Sequence, residues 1–131
     1  MLGAMQDFEL RVPRLIDHAE REYGDREIVS RWFDGSETRT NWAGIARDSR
    51  KLAQALERMG IKPGDRVATM AMNHSRHLVA WHGTIGMGGV IHTINPRLFE
   101  DQLAFIGNHA EDRVLMYDRM FQPIIDKMKP Q

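Results

Sequence analysis

The sequence contains no cysteine. That excludes a disulfide framework, a thiolate nucleophile and a Cys-ligated zinc or iron–sulfur centre. It fits a reducing compartment. Net charge is missing too: 18 basic and 18 acidic side chains cancel. A strongly basic nucleic-acid binder acting through its bulk field is thereby excluded. No long apolar run occurs either. The longest stretch free of Asp, Glu, Lys and Arg is His77 to Pro96, and histidines and four glycines interrupt it. A membrane span needs about 20 predominantly apolar residues, so this stretch reads as protein core and no transmembrane segment is expected. Met1 to Val12 shows no basic stretch leading into an apolar one, so no secretory signal is expected.

What remains is ordinary for a soluble globular chain: 131 residues, 27% charged and 42% apolar. The length suits one domain that buries roughly two thirds of its unfolded surface. The zero net charge conceals an uneven distribution. Residues 1–30 carry −3, residues 31–66 carry +3, residues 67–99 carry +2 and residues 100–131 carry −2. The third block has no carboxylate at all, yet it holds four of the six histidines. Burial explains this, because unpaired charges are costly inside a protein. A pocket wall that avoids acids because its ligand is anionic explains it too.

Pro13 to Tyr23 reads as a helix. Pro13 suits the first turn, Leu15, Ile16, Ala19 and Tyr23 share a face, and Gly24 can end it. A hairpin follows, with strands over Glu27–Phe33 and Glu37–Thr40 about the Asp34-Gly35 turn. Asn41 is a predicted N-cap. Trp42, Ile45, Ser49, Leu52, Leu56 and Met59 recur at helical spacing, and Gly60-Ile61 fits a Schellman end. Lys62-Pro63-Gly64-Asp65 has the form of a type II turn.

Beyond it, strand and helix alternate. Strands are predicted from Arg66, Val90 and Arg113, and helices begin at a cap on Asn73, near Phe99 and near Phe121. This spacing is that of βαβ units, so parallel strands with right-handed crossovers are expected. All three strands look apolar on both faces, as in a sheet covered by helices on both sides. The expected fold is therefore α/β: a βαβαβ parallel sheet preceded by an N-terminal helix and a β-hairpin. Residues 1–27 are taken as a helical arm and residues 28–131 as the α/β lobe.

The Gly83, Gly86, Gly88 and Gly89 cluster invites a dinucleotide reading but lies at a helix end before a strand. The fingerprint needs the opposite order. No Walker-type loop and no G-x-S-x-G motif occurs. His74, His77 and His82 share a helix but not a face, so no metal site is assigned. The best candidate site is His92, Thr93, Asn95 and Arg97, at the carboxyl end of the middle strand of the three, where open α/β sheets bind ligands. Asn73 and His77 join them as lower-ranked substrate-side candidates. A structural reading stands beside it: Asn95-Pro96 starts a loop, and Arg97 is placed to pair with Asp101.

Several ordered blocks, Gly64–Asn73, Arg76–Leu78, Gly86–Leu98 and Ile106–Val114, together resemble medium- and long-chain fatty acyl-CoA synthetases. These belong to the acyl-adenylate-forming, AMP-binding superfamily, and the resemblance runs from about Phe8 to the end. It implies ATP- and Mg²⁺-dependent formation of an acyl-adenylate, then transfer of the acyl group to coenzyme A. It also implies fatty acid, ATP and coenzyme A as partners of the complete enzyme, and a cytoplasmic location that can be peripheral to a membrane.

The family's Thr/Ser/Gly-rich phosphate loop, acidic metal and ribose cluster and C-terminal lysine have no counterpart here. No catalytic, cofactor-binding or metal-binding residue can be carried over. The resemblance thus implies an N-terminal portion of a longer enzyme, a scaffold inactive by itself that associates, as a homodimer or otherwise, through exposed surface. The competing reading is a self-contained α/β binding or interaction module without chemistry. One departure concerns the helix after Asn41: the family's capping-box Glu is replaced by Gly44. On sequence grounds this weakens the helix start, since Gly costs about 1 kcal/mol against Ala.

Overall fold

The computed structural model describes residues 3–4 and 7–128. Its first helix, α1 (Pro13–Tyr23), keeps the predicted bounds but buries only Ile16. Leu15 and Tyr23 share the apolar spacing yet stay largely in solvent. The β1 (Glu27–Arg31) and β2 (Glu37–Asn41) hairpin follows, in antiparallel register from Glu27 opposite Asn41 to Arg31 opposite Glu37. Asp34 turns it by accepting from the backbone N–H of Ser36, and Gly35 takes the positive φ of 84° that a side chain resists.

Helix α2 (Trp42–Arg58) starts where the sequence placed it, with the Asn41 side chain accepting from the N–H of Gly44 at 2.8 Å. It also ends as expected. Gly60 N–H bonds the Glu57 carbonyl and Ile61 N–H bonds the Leu56 carbonyl, the Schellman pair. Met59 drops out of the apolar stripe because it is the cap itself, beyond the last turn. The space at Gly44 adds a steric term to the propensity cost expected there. A Cβ there would lie 2.5 Å from Thr40 Oγ1 and 3.2 Å from the capping Asn41 Oδ1. A side chain at Gly44 would therefore require Thr40 and the capping Asn41 to shift.

The parallel sheet is made of β3 (Arg66–Met70), β4 (Val90–Thr93) and β5 (Val114–Tyr117), in spatial order β4-β3-β5. The strand between α3 (Ser75–Gly86) and α4 (Glu100–Ala110) is therefore not the middle one; β3 is. Position decides burial. Val67 to Met70 of β3 are all buried, whereas Val90 of β4 and Tyr117 of β5 are exposed at the edges. The expectation that all three strands are buried on both faces holds only for the central one.

Helices cover both faces. On one, Leu56 and Ile61 pack on Val67. On the other, Leu103 of α4, Phe121 and Ile125 pack on Ala68, Met70 and Ile94. The last segment is a 3-10 turn (Arg119–Phe121) leading into α5 (Gln122–Met128). A third cluster, Ile16 with Ile45 and Ala46, joins α1 to α2. Among the described residues no helix is long and apolar enough to cross a membrane.

Candidate functional site at the carboxyl edge of the sheet

Parallel strands deliver their carboxyl ends to one edge, so the segments leaving β3, β4 and β5 meet there. Asn73 and His74 follow β3, Asn95 and Arg97 follow β4, and Asp118 follows β5. His74, not Asn73, caps α3. Its Nδ1 accepts from the backbone N–H of His77 at 3.1 Å, while the Asn73 side chain is exposed. His74 wins because its ring can also reach inward. Its Nε2 lies 3.0 Å from both carboxylate oxygens of Asp118, which also accepts from the Met72 N–H at 2.8 Å. A backbone N–H can only donate, so His74 is the Nε2–H tautomer.

His77 is the opposite tautomer. Its Nδ1 faces the Met72 carbonyl at 3.2 Å and therefore donates. Its Nε2 accepts from the Thr69 hydroxyl at 3.0 Å and from the Trp81 indole N–H at 3.2 Å. Burial holds the His77 imidazole below its usual range; nearby His74 acts the same way and the Met72 carbonyl acts against it. Burial alone does the same to His82, whose Nδ1 has no partner.

Both shifts disfavour protons in the folded state. Stability should be fully present above about pH 6.5 and fall as pH drops below it, because the unfolded histidines then bind protons that the folded ones refuse. Urea melts at several pH values check this. His82→Leu should flatten the decline and also remove the orphaned nitrogen.

The six candidates from the sequence do not converge. Thr93 is the register partner of Thr69, so it shares the α3 face with His77. His92 pairs with Ala68 and so points to the opposite face, where its Nδ1 lies 2.8 Å from Asp112 Oδ2. Asn95 accepts from the Arg97 N–H at 3.0 Å, a local loop-starting turn. Among the described residues no ion pair joins Arg97 to Asp101, and its guanidinium is exposed.

Sequence reasoning missed His74 as the cap, Asp118, Thr69 and Trp81. The first was recoverable from the adjacent polar pair Asn73-His74; the others meet only through tertiary packing. Beside this cluster a half-open cleft of about 400 Å³ separates β1 from α3, walled by Ile28, Val29, Leu78 and Trp81. A wider concavity of about 710 Å³ follows Phe8–Val12 and α1 and includes none of the carboxyl-edge residues.

Comparison with known proteins then settles the family. The model of the AMP-binding enzyme family matches residues 16–130. This chain belongs to the AMP-binding enzyme family. Among its relatives, a 3-methylmercaptopropionyl-CoA ligase of Ruegeria lacuscaerulensis is 48% identical over 131 residues, all of this chain and 24% of that protein. A medium-chain-fatty-acid–CoA ligase of Ectopseudomonas oleovorans is 47% identical over 125 residues, 95% of this chain and 23% of its own length.

The AMP-binding chain thus spans about a quarter of the length of the curated relatives it matches. In fold it is similar to the N-terminal domain of FACL13 from Mycobacterium tuberculosis, with a TM-score of 0.81 at 22% identity, covering 94% of this chain and 31% of that one. The same fold is shared with a long-chain-fatty-acid CoA ligase described as putative from Rhodopseudomonas palustris, with a TM-score of 0.78 at 22% identity over 92% of this chain and 30% of that one. Among the described residues no three His, Asp or Glu side chains gather where a metal ion could sit.

Proposed function

We propose that this chain is part of an acid–thiol ligase that activates a carboxylic acid with ATP and passes the acyl group to coenzyme A. The observation that carries the reading is the family match over residues 16–130, together with relatives at 47–48% identity that are CoA ligases. Their names support a carboxylic acid of the thioether or fatty-acid kind as the substrate. The described residues act as scaffold in this reading. It takes the sheet's carboxyl edge, where Arg97, Thr93, Asn95, Asn73 and His77 lie, as the substrate side; the His92–Asp112 contact supports His92 in a structural role there. Exposed Phe99 and Phe105 on and beside α4 offer apolar surface for the remainder of such an enzyme or for a second copy. The enzyme would work in the cytoplasm, with or without contact to a membrane surface.

Adenylation needs positive groups on the phosphates, and this reading assigns one such role to Arg97, exposed just after β4. In the complete ligase, Arg97→Ala should raise KM for a phosphate-bearing substrate about tenfold, the worth of one charge-assisted hydrogen bond, with a smaller change in kcat. An unchanged KM for both ATP and coenzyme A would remove Arg97 from the site. The 131-residue chain alone should catalyse no fatty-acid-dependent ATP–pyrophosphate exchange; measurable exchange would overturn its scaffold role.

A further inference from the structure

The histidine at the start of α3 ties together more elements than a cap requires. Its side chain is 4% exposed. One ring nitrogen caps α3 and the other holds Asp118 at the end of β5. Through Asp118 it also reaches the Met72 N–H at the end of β3. The ring face lies on Trp32 of the hairpin, with centroids 4.5 Å apart and planes 33° from parallel. Next to it the Ser75 N–H donates to the buried Ser30 hydroxyl of β1 at 2.8 Å. The hairpin is thus fastened to α3 and to the sheet's carboxyl edge around one imidazole.

We propose that His74 is a proton-sensitive latch, closed when its Nδ1 is an acceptor and opened when that nitrogen gains a proton. The physical reason is the fixed role of each nitrogen. The doubly protonated ring has two donors and no acceptor. Its Nδ1–H would then face the His77 N–H, donor against donor, at 3.1 Å. The His77 amide also bonds the His74 carbonyl at 3.0 Å, so the helix itself persists. What is lost is the ring's position on the cap, and with it the stack on Trp32.

The charged and titratable groups facing His74 are Asp118 from the end of β5, His77 from α3, and Arg76, whose guanidinium lies 5.0 Å over the Trp32 ring. The hairpin brings Trp32 and Ser30, neither of which titrates. Asp118 keeps its bond to Nε2–H in either state, so the ring pivots there and releases the hairpin side. The cleft between β1 and α3 has Asn73 and His77 in its lining, so opening the latch would widen the site's mouth.

The test is NMR on the uniformly ¹⁵N-labelled chain. At neutral pH the ring nitrogens should report His74 as the Nε2–H tautomer and His77 as the Nδ1–H tautomer. Through the His74 titration, amide protection at Ser75 and His77 should fall about fivefold, the equivalent of one lost N-cap, while Leu56 in α2 stays protected. His74→Asn keeps an acceptor at the cap but cannot titrate, so the extra loss at Ser75 and His77 relative to Leu56 should vanish with the cap intact, leaving only the decline that His77 and His82 cause. Three results would overturn the latch: an Nδ1–H tautomer for His74, protection at Ser75 and His77 that ignores the His74 titration, or loss of protection shared equally by Leu56. The tautomer and protection readings need only the unaltered chain, so they decide the matter even if the variant does not fold.

Discussion

Leu103→Ala is expected to cost about 2–5 kcal/mol, the range for removing a buried leucine whose cavity cannot collapse. Leu103 is the one buried residue of α4, at 1% exposure, and it packs with Ala68, Met70, Ile94, Phe121 and Ile125. The wall behind it is the central strand, pinned by a ladder on each side, so it cannot move in to fill the space. Against a typical total of about 5–15 kcal/mol, the loss should loosen α4 before the rest of the chain unfolds. Chemical denaturation gives the magnitude, and amide exchange along α4 shows where it falls. Phe105→Ala on the same helix should cost far less, since Phe105 is 65% exposed. Equal losses at the two positions would mean that Leu103 does not anchor the helix.

The second large effect has a sign that sequence rules get wrong. Gly83→Ala, inside α3, should lower stability by about 1–3 kcal/mol through overpacking, although helix propensity alone favours Ala by about 1 kcal/mol. The new Cβ would lie 2.9 Å from the Ser49 carbonyl oxygen and 3.0 and 3.1 Å from atoms of Leu52. The first of these is backbone of α2, so relief requires the two helices to separate. Gly86→Ala is the control. It lies three residues further along α3, is exposed, and an added Cβ meets nothing within 4 Å. Thermal or urea melts of the pair should move in opposite directions. A gain at Gly83 would show that the α2–α3 seam has slack.

Local signals were legible where the chain itself supplies both partners. Asn41 and Gly44, Gly60 and Leu56, and Lys62 and Asp65 sit within a few residues of each other, so cap, helix end and turn could be read directly. The βαβ rhythm was legible for a similar reason, since strand length and spacing follow from backbone geometry. Which strand lies in the centre was not. The order β4-β3-β5 depends on which side of β3 each crossover takes, and no local residue encodes that choice. The candidate site suffered most from this. His92 and Thr93 are neighbours in sequence, but the two-residue period of a strand sends them to opposite faces. Asp118 lies 44 residues from His74 and gave no local sign of bonding it.

The missing cysteines and the cancelled charge excluded disulfide, thiolate and bulk-basic chemistry from the sequence alone, and the sequence also marked out the carboxylate-free, histidine-rich block from residue 67 to 99. Sequence alone also carried the element types, the Asn41 cap and the family resemblance, because periodicity and short-range hydrogen bonding are written within single segments. The fold decided where that block's histidines point: His74 to Asp118, His77 to Thr69 and His92 to Asp112. It also decided which glycines are free and which are wedged between helices. Those outcomes rest on distances between segments far apart in the chain, which only the packed sheet and its helices set.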